Sequence, residues 1–547
     1  MDLEKELSSI IEGEVAVDDA TLEINSEDTS ILKICPSCVV SPKHKEDLSK
    51  LIHFVHQHRG EMSLTAWSAG TDMSDGPLTS SIVVDFLRYF NHVHDVSQEQ
   101  ATAEPGVFYR DFEPLTLFQN AILPCYTASR ELNTLGGMVA NNSAGEKSLT
   151  FGKTERYVKA LKVVLQDGNE YVFKKINRAE LEAKKFQLDY EGEIYRRVES
   201  LINENIETIE SERSTVSKNS PGYEVWDIWD KENDTFDMTQ LFVGSQGTLG
   251  LISEITFSLV EPQNESRMLV LFLRPRHMKQ LGSIVNTVLK ESPESFESYD
   301  DKTFNVMLRV FPKLFGRLGG NPFKIVKDFW PEIKTVLTGG IPKLVLMAEF
   351  TGTDESEVIA RRNKAEEAIK ELYDIDTHVT STKEEGNKFW VVRRESFELL
   401  RENVRHRHTA PFIDDISVRP EHLPEFLPKL YAILDEYNLI YTMAGHVGDG
   451  NFHIIPLMDF KRPDFVKIVT ELSDKVYTLV GEYKGSITGE HNDGIIRTPY
   501  LHKMFSASML SVFSEIKEIF DPHRIFNPHK KVDADMELLK NSIKSQS

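Results

Sequence analysis

Apolar residues recur at helical spacing soon after the start of the chain. Four of them lie three or four positions apart and would share one helix face: Leu48, Leu51, Ile52 and Val55. Ser41 can cap this helix, Pro42 fits its first turn, and Gly60 would follow its end. The pattern therefore predicts a helix between about residues 41 and 60.

Two extended runs follow, SLTAW (63–67) and SIVVDF (81–86), joined by the small-residue loop SAGTDMSDGP. The loop connects a strand to a strand, so it is not the Rossmann fingerprint, in which a glycine-rich loop leads into a helix. Consecutive backbone N–H groups in such a turn can nevertheless surround a phosphate. The loop is therefore a candidate phosphate site.

Two more glycine-rich stretches follow. TLGGMVANNSAG (134–145) has neither helical nor strand periodicity, whereas LFVGSQGTLGLISEITFSLV (241–260) leads from a glycine turn into an alternating strand. Small side chains let a backbone approach a ligand closely, although a tightly packed connector would look the same. Between these stretches, residues 159–173 predict a hairpin, and the polar segment from about 177 to 237 predicts an insertion at the surface.

The pattern changes near residue 265. MLVLFL (268–273) and KLVLMAEF (343–350) predict strands, each followed by a helical region, the second being the charged run 354–373. A helix is also expected around 503–520. Strands on a half-exposed sheet with helices against it indicate a separate α+β cap domain with an antiparallel sheet. The predicted fold class is α+β, with a helical segment at the C-terminus.

Length and charge narrow the functional classes. At 547 residues the chain should divide into two or three domains. A formal net charge of −23 argues against nucleic acid and against electrostatic docking on anionic lipid. The start of the chain has no apolar signal region, and no run approaches the roughly 18 apolar residues that a spanning helix needs. We expect a cytoplasmic protein, with peripheral attachment at the inner membrane face left open.

Only three cysteines are present, Cys35, Cys38 and Cys125, which excludes a disulfide framework and indicates a reducing compartment. Cys35 and Cys38 form a CxxC pair that could serve redox chemistry or half of a zinc site. Because no second pair exists to complete such a site, a structural role is the preferred interpretation.

The stretch AGHVGDGNFH (444–453) suggests metal chemistry. Written as a hairpin, it places His446 opposite His453, and opposed cross-strand residues have Cβ atoms about 4.5–5.5 Å apart. A third ligand must come from elsewhere, and the strongest candidates are the neighbours Glu490 and His491, on a short extended run between glycines. Because neighbouring strand residues point to opposite faces, one of the two would bind the metal and the other would face something else, such as a substrate. The alternative is an exposed hairpin and an ordinary loop pair.

Eight motifs in order resemble the vanillyl-alcohol-oxidase/p-cresol-methylhydroxylase class of FAD flavoproteins, within it the D-lactate, glycolate and D-2-hydroxyglutarate dehydrogenase group. They are SAGTDMSDG, EPGV, TLGGMVANNSAG, FGKT, LFVGSQGTLG, GHVGDGNFH, GEHNDG and IFNPHKK. The nearest resemblance is to the FAD portion of fused FAD/iron–sulfur enzymes. No cysteine follows Cys125, so we expect electrons to leave through an iron–sulfur subunit, quinone, a carrier flavoprotein or oxygen.

The resemblance implies a two-lobed PCMH-type FAD-binding domain at residues 35–262, after an extension at 1–34. It also implies a cap domain at 263–485 and a C-terminal segment at 486–547 that completes the flavin site; a homodimer is one possible assembly. FAD would contact Ser68, Ala69, Gly70, Thr71, Asp72, Met73, Pro105, Gly106, Thr134, Gly136, Gly137, Asn141, Gly145, Gly152, Ile252 and Asn527. No histidine lies in the 68–76 loop, so FAD should be bound non-covalently.

By the same resemblance, His446, His453 and Glu490 would bind a divalent ion, zinc or manganese, and His491 would be the catalytic base. Arg393 would pair with the substrate carboxylate. The implied reaction is oxidation of a D-2-hydroxy acid to the 2-oxo acid by hydride transfer to flavin, with metal assistance. Three residues, Asp72, Asp75 and Asn492, stand where the group usually has glycine, and Trp67 stands where it often has arginine.

Three other functions are compatible with the sequence. A non-redox FAD transferase of the same fold would have no reason to keep Glu490 and His491 beside two histidines. A metal-dependent hydrolase would use the same three ligands to activate water and would be indifferent to FAD. A binding protein that has lost flavin or activity would be explained by the three departures.

Overall fold

The computed structural model describes residues 2–304, 340–387, 389–390, 393 and 408–544. The strands are β1 Glu14–Ala16, β2 Cys38–Ser41, β3 Leu64–Trp67, β4 Ile82–Asp85, β5 Val93–Val96, β6 Gln100–Ala103, β7 Val158–Val164, β8 Glu170–Lys174, β9 Ile176–Asn177, β10 Trp229–Asp230, β11 Thr235–Phe236, β12 Leu251–Ser258, β13 Glu265–Leu273, β14 Ser295–Asp300, β15 Leu344–Gly352, β16 Asp376–Val379, β17 His408–Thr409, β18 Ile416–Ser417, β19 Ile440–Gly445 and β20 Asn451–Met458.

The helices of the described residues are α1 Leu3–Ser8, α2 Asp19–Ile24, α3 Lys45–Gln57, α4 Tyr109–Phe118, α5 Leu135–Asn141, α6 Ser148–Phe151, α7 Arg178–Phe186, α8 Tyr190–Glu204, α9 Ile206–Ser211, α10 Thr239–Phe242, α11 Leu281–Leu289, α12 Glu355–Leu372, α13 Leu423–Asp435, α14 Phe465–Glu482, α15 Gly494–Arg497, α16 Ala507–Phe520 and α17 Met536–Ser542. In this part of the chain, no helix is both long and apolar enough to cross a bilayer.

Two sheets form the N-terminal half. One has the order β1-β2-β4-β3, in which β2 and β3 are parallel to β4 and β1 is antiparallel to β2. The other has the order β5-β6-β12-β7-β8. The predicted strand, loop and strand at 63–86 are confirmed as β3 and β4, and the hairpin at 159–173 as β7 and β8.

The predicted helix after residue 41 is confirmed as α3, with its four apolar residues buried. Its start is wrong, because Ser41 is the last residue of β2 and His44 occupies the N-cap. Residues 134–145 also differ from the prediction. Thr134 caps the short helix α5 by accepting from the N–H of Gly137, and the buried residues of this helix, Leu135, Met138 and Val139, lie at helical spacing that the prediction missed among the small side chains.

The prediction of an antiparallel sheet in this region is confirmed by a larger sheet with the order β16-β13-β15-β14-β19-β20-β17, in which β18 also pairs with β20. All its pairs are antiparallel, including β13 with β15 and β19 with β20. Helix α11 follows β13 and helix α12 follows β15, as the pattern indicated. The mixed helices and sheets confirm the α+β class.

The prediction that residues 177–237 lie at the surface is wrong for their second part. Val216, Lys218, Tyr223, Val225 and Ile228 are all buried. Helices α7 to α9 precede this buried part, and α8 packs against the C-terminal helix α16. The segment therefore enters the interior, where it reaches the residues of the candidate site.

Candidate active site

The two histidines of the 444–453 stretch meet at the end of a hairpin. Strands β19 and β20 form it as predicted, but the register is different, because Ala444 and not His446 lies opposite His453. Residues 447–449 form a 3-10 turn, and Asn451 donates its N–H to the carbonyl of His446. His446 thus lies just beyond the ladder. Its ring still approaches that of His453, with 5.4 Å between centroids.

Glu490 and His491 come from the loop before α15, and one carboxylate holds this loop. Asp415 Oδ2 accepts the N–H groups of Gly489, Glu490 and His491, each at 2.8 Å. The loop is not a strand, so the expectation that the two side chains face opposite directions is wrong. Both converge on His453, whose ring lies 5.1 Å from the ring of His491 in a stacked arrangement.

Glu490 Oε1 is the centre of the cluster. It lies 3.3 Å from Nε2 of His453, 3.5 Å from Nε2 of His446 and 3.7 Å from Nε2 of His491. Within the described residues, two groups have ligand atoms close enough to share an ion, namely His446, His453 and Glu490, and Asp414, His453 and His491. Imidazole and carboxylate donors in such a group suit zinc or manganese.

Two buried carboxylates hold the histidines from behind. Glu297 Oε1 is 2.5 Å from Nδ1 of His446, and Asp414 lies 3.1 Å from Nδ1 of His453 and 2.8 Å from Nδ1 of His491. A carboxylate on Nδ1 fixes the ring and leaves Nε2 to bind a metal or move a proton. Asp414 and Glu297 are positioning residues that the sequence did not reveal.

The charges around the cluster suit a cation. Burial opposes ionisation of Glu490, but Lys218 and His446 hold its pKa well below the usual range. Burial also opposes ionisation of Asp414, and His453 and His491 outweigh it and lower that pKa. The same balance raises the pKa of His453 to about 10, because the charge of Asp414 outweighs burial. The carboxylates therefore stay ionised in the interior, paired with Lys218 and with protonated imidazoles, and a bound metal ion would replace the protons on the ligating Nε2 atoms.

Arg393 lies at the same cavity, and its side chain is 13% exposed. Its guanidinium is 3.4 Å from Oε2 of Glu297, whose other oxygen contacts His446. One carboxylate thus connects the arginine to a candidate metal ligand. The arrangement leaves a guanidinium at the cavity wall, where it can meet a carboxylate of a small molecule.

The cavity has a volume of about 450 Å³ and runs from the 68–76 loop to the histidines. Many of the residues expected to contact FAD line it: Ser68, Ala69, Gly70, Thr71, Asp72, Met73, Thr134, Gly137 and Asn141. Within the described chain, the backbone N–H groups of residues 69–73 have no protein acceptor. Unused donors beside a cavity suit the pyrophosphate of FAD.

Other expected FAD residues lie outside the lining: Pro105, Gly106, Gly136, Gly145, Gly152, Ile252 and Asn527. Close packing accounts for two of the glycines. A Cβ at Gly136 would come within 2.5 Å of Pro105, and one at Gly145 within 2.0 Å of the carbonyl oxygen of Tyr126. Asn527 donates its amide to the carbonyls of Gly76 and Gln246. These residues shape the walls and do not face the cavity.

The structure accommodates Asp72, Asp75 and Asn492, the three residues that stand where the resembled group usually has glycine. Asp75 and Asn492 adopt positive φ angles of 67° and 66°, which Asp and Asn tolerate better than most residues. Asp75 accepts the N–H groups of Ile495 and Ile496. Asp72 lines the cavity, and its carboxylate accepts from Ser74, Gly76 and the amide of Asn141. Of these three residues, only Asp72 brings a negative charge to the cavity.

Asp72→Asn should tighten FAD binding about tenfold, because it removes a unit charge that opposes the pyrophosphate through a partly aqueous path. Titration of apoprotein with FAD, followed by quenching of flavin fluorescence, measures the change, which should shrink at high salt. Asp75→Asn is the matched control, since its carboxylate contacts α15 and not the cavity. Equal or weaker FAD affinity in Asp72→Asn would contradict the expectation.

Comparison with known proteins identifies two domain families in this chain. The model of an FAD binding domain matches residues 36–173, and that of the C-terminal domain of FAD linked oxidases matches residues 262–531. The chain therefore carries the two domains of the FAD-linked oxidases, which confirms the resemblance at the level of the domain family.

Two curated relatives and one solved structure show its neighbours. D-2-hydroxyglutarate dehydrogenase of Pseudomonas putida is 28% identical over 96% of this chain and 51% of that protein. D-lactate dehydrogenase of Archaeoglobus fulgidus is 24% identical over 90% of this chain and 91% of that protein. The structure of p-cresol methylhydroxylase with bound substrate has a TM-score of 0.68 at 13% identity, covering 97% of this chain and 96% of that one.

The chain spans about half the length of the first of these relatives. The solved structure, at this low identity, shows a common fold alone. The family and the FAD-binding domain are therefore established, whereas the activity rests on the residues of the site.

Proposed function

We propose that this protein is an FAD-dependent, metal-assisted dehydrogenase that oxidises a D-2-hydroxy acid to the 2-oxo acid. The expected substrate resembles D-lactate. The observation that carries the proposal is the position of Glu490 Oε1, within 3.7 Å of three imidazole Nε2 atoms at the cavity that also contains the 68–73 loop. The names of the curated relatives support the substrate class.

Each polar residue then has a role in binding or proton transfer. Arg393 binds the substrate carboxylate through its guanidinium and fixes the orientation of the acid. His491 accepts the hydroxyl proton on Nε2, and Asp414 holds its Nδ1 and stabilises the charged ring. Glu297 holds both Arg393 and His446, so the carboxylate-binding group and the metal-binding group keep a fixed separation.

His446, His453 and Glu490 would hold the divalent ion, zinc or manganese. A bound ion supplies positive charge that lowers the pKa of a coordinated hydroxyl. The backbone of the 68–73 loop, together with Thr134, Gly137 and Asn141, would hold FAD without a covalent bond. Bound FAD supplies the acceptor for the two electrons of the oxidation.

This assignment separates the protein from the alternatives. A metal-dependent hydrolase would not need the FAD-binding domain that this chain carries. A non-redox FAD transferase would not need an acid-base histidine and an arginine at one metal cluster. The electron acceptor, a partner iron–sulfur subunit, a homodimer, the division into domains and a cytoplasmic location stay predictions from the sequence.

The first test is anaerobic addition of D-2-hydroxy acids to the purified flavoprotein, with and without a chelator. We expect the flavin absorbance to bleach with at least one acid and to persist after chelation, because chelation removes the ion that activates the hydroxyl. The L-enantiomer of the same acid is the control. Bleaching that survives complete metal removal would contradict the metal assignment, and a flavoprotein that no 2-hydroxy acid reduces would contradict the proposal.

A further inference from the structure

Lys218 is a buried lysine at the candidate metal cluster. Its side chain is 1% exposed, and its ammonium lies 2.6 Å from Oε2 of Glu490. It also donates to the carbonyl of Gly145 at 3.3 Å. The described lining of the cavity does not include Lys218. The lysine therefore contacts the cluster from the protein interior and not from the cavity. The roles given above leave it without an explanation.

The two oxygens of Glu490 have different surroundings. Oε1 faces the three imidazoles, whereas Oε2 faces the ammonium of Lys218. A free carboxylate can bind a metal through one oxygen or through both. Because Lys218 occupies Oε2, only Oε1 of Glu490 is directed at the ion.

Neighbouring contacts hold the lysine in this position. Ser217 donates to Asp449 at 2.6 Å, on the turn that carries His446. Ser220 donates its N–H to the carbonyl of Thr488, on the loop that carries Glu490. Residues 217 and 220, on either side of Lys218, are thus attached to the turn after His446 and to the loop that carries Glu490.

We propose that Lys218 is a positioning residue that restricts Glu490 to one metal-binding oxygen and offsets its negative charge. This inference rests on the proposed function, in which Glu490 is a metal ligand. Its consequence is that the ion is held less tightly than the three ligands alone would allow. The ion then keeps more of its charge for the substrate hydroxyl.

Lys218→Met should tighten the binding of zinc or manganese about tenfold or more, because two effects act in the same direction. The second oxygen of Glu490 becomes available, and a positive charge close to the ion is removed. The measurement is a competition titration in which metal-free, FAD-loaded protein competes with a chromophoric chelator for Zn²⁺ or Mn²⁺. This readout does not depend on turnover.

Lys218→Gln provides a second variant in case Lys218→Met does not fold. Its amide still donates to Oε2 but carries no charge, so the tightening should be smaller and in the same direction. Lys153→Met is the matched control. Lys153 is also buried, lies 3.0 Å from Glu155 and donates to the carbonyl of Asn219, but it has no described contact with Glu490. The metal affinity of Lys153→Met should equal that of the wild type.

The outcomes separate this inference from the proposed function. Tighter binding in the Lys218 variants, with the wild-type value in Lys153→Met, supports the inference. Unchanged or weaker binding in folded, FAD-containing Lys218 variants overturns it and leaves the metal site standing. A wild-type protein that binds neither ion overturns both.

Discussion

His491→Asn is expected to lower kcat by about 10²–10⁴-fold while FAD stays bound, because the variant loses the base that accepts the hydroxyl proton. Asparagine can still contact Asp414, but it cannot take a proton at the position of Nε2. The loss should appear in the rate of flavin reduction at a saturating concentration of the D-2-hydroxy acid. Substrate binding through Arg393 should change little.

Anaerobic stopped-flow measurement of flavin bleaching tests this expectation. His502→Asn is a suitable control, since His502 contacts only the nearby carbonyl of Pro499 in its described hydrogen bonds and lies outside the cavity lining. A variant at His491 that purifies without FAD would show a structural role. A variant that reduces flavin at the wild-type rate would show that another group accepts the proton.

Glu490→Gln is expected to abolish metal binding and, with it, turnover. The amide is close in shape to the carboxylate and can still accept from Lys218, but it is uncharged and a much poorer ligand for a divalent ion. FAD should stay bound, because Glu490 lies at the histidine end of the cavity. A charge reversal, Glu490→Lys, should have the same result.

Metal content of the purified protein, with turnover after added Zn²⁺ or Mn²⁺, measures the effect. Glu349→Gln is the control, because Glu349 is a half-buried glutamate on β15 that accepts from Ser266 and Trp390 and lies outside the cavity lining. Full metal occupancy in Glu490→Gln would remove Glu490 from the ligand set. Loss of FAD in the same variant would instead assign the residue a structural role.

The sequence predicted the elements of the site better than their relative positions. Local apolar spacing and glycine turns identified β3, β4, β7, β8, β13, β15 and the hairpin of β19 and β20. The register of that hairpin was not predictable from the glycines alone. Val447–Asp449 form a 3-10 turn, so the connection between the strands is longer than a tight turn and the last pair of the ladder is Ala444 with His453. The two histidines converge in either register.

The residues that contact the candidate metal ligands from behind were not predictable for a different reason. Glu297, Asp414 and Lys218 come from β14, from the loop before β18 and from a polar segment, and no local pattern relates them to His446 or Glu490. Asp414 stands beside Asp415 in the chain, yet the first contacts two histidines and the second holds the 489–491 loop. Only the three-dimensional fold distinguishes such neighbours.

The polar segment at 177–237 illustrates the limit of composition as a guide. Its helices α7 to α9 have polar faces, which suggested an exposed insertion. Lys218 is nevertheless among the most deeply buried side chains, because Glu490 and the carbonyl of Gly145 satisfy its ammonium. A charged residue that has its partners in the interior is indistinguishable from a solvated one in a hydrophobicity pattern.

The attachment of the 64–78 region to the end of the chain has a consequence for biosynthesis. Leu64 exchanges backbone hydrogen bonds with Ile525 and Asn527, and Lys530 donates to the carbonyl of Leu78. A nascent chain that has emerged only as far as β8 lacks all of these partners. The 68–76 loop, the candidate phosphate site, gains these neighbouring contacts only after residues up to 530 have left the ribosome, so we expect flavin insertion to follow synthesis of that part of the chain.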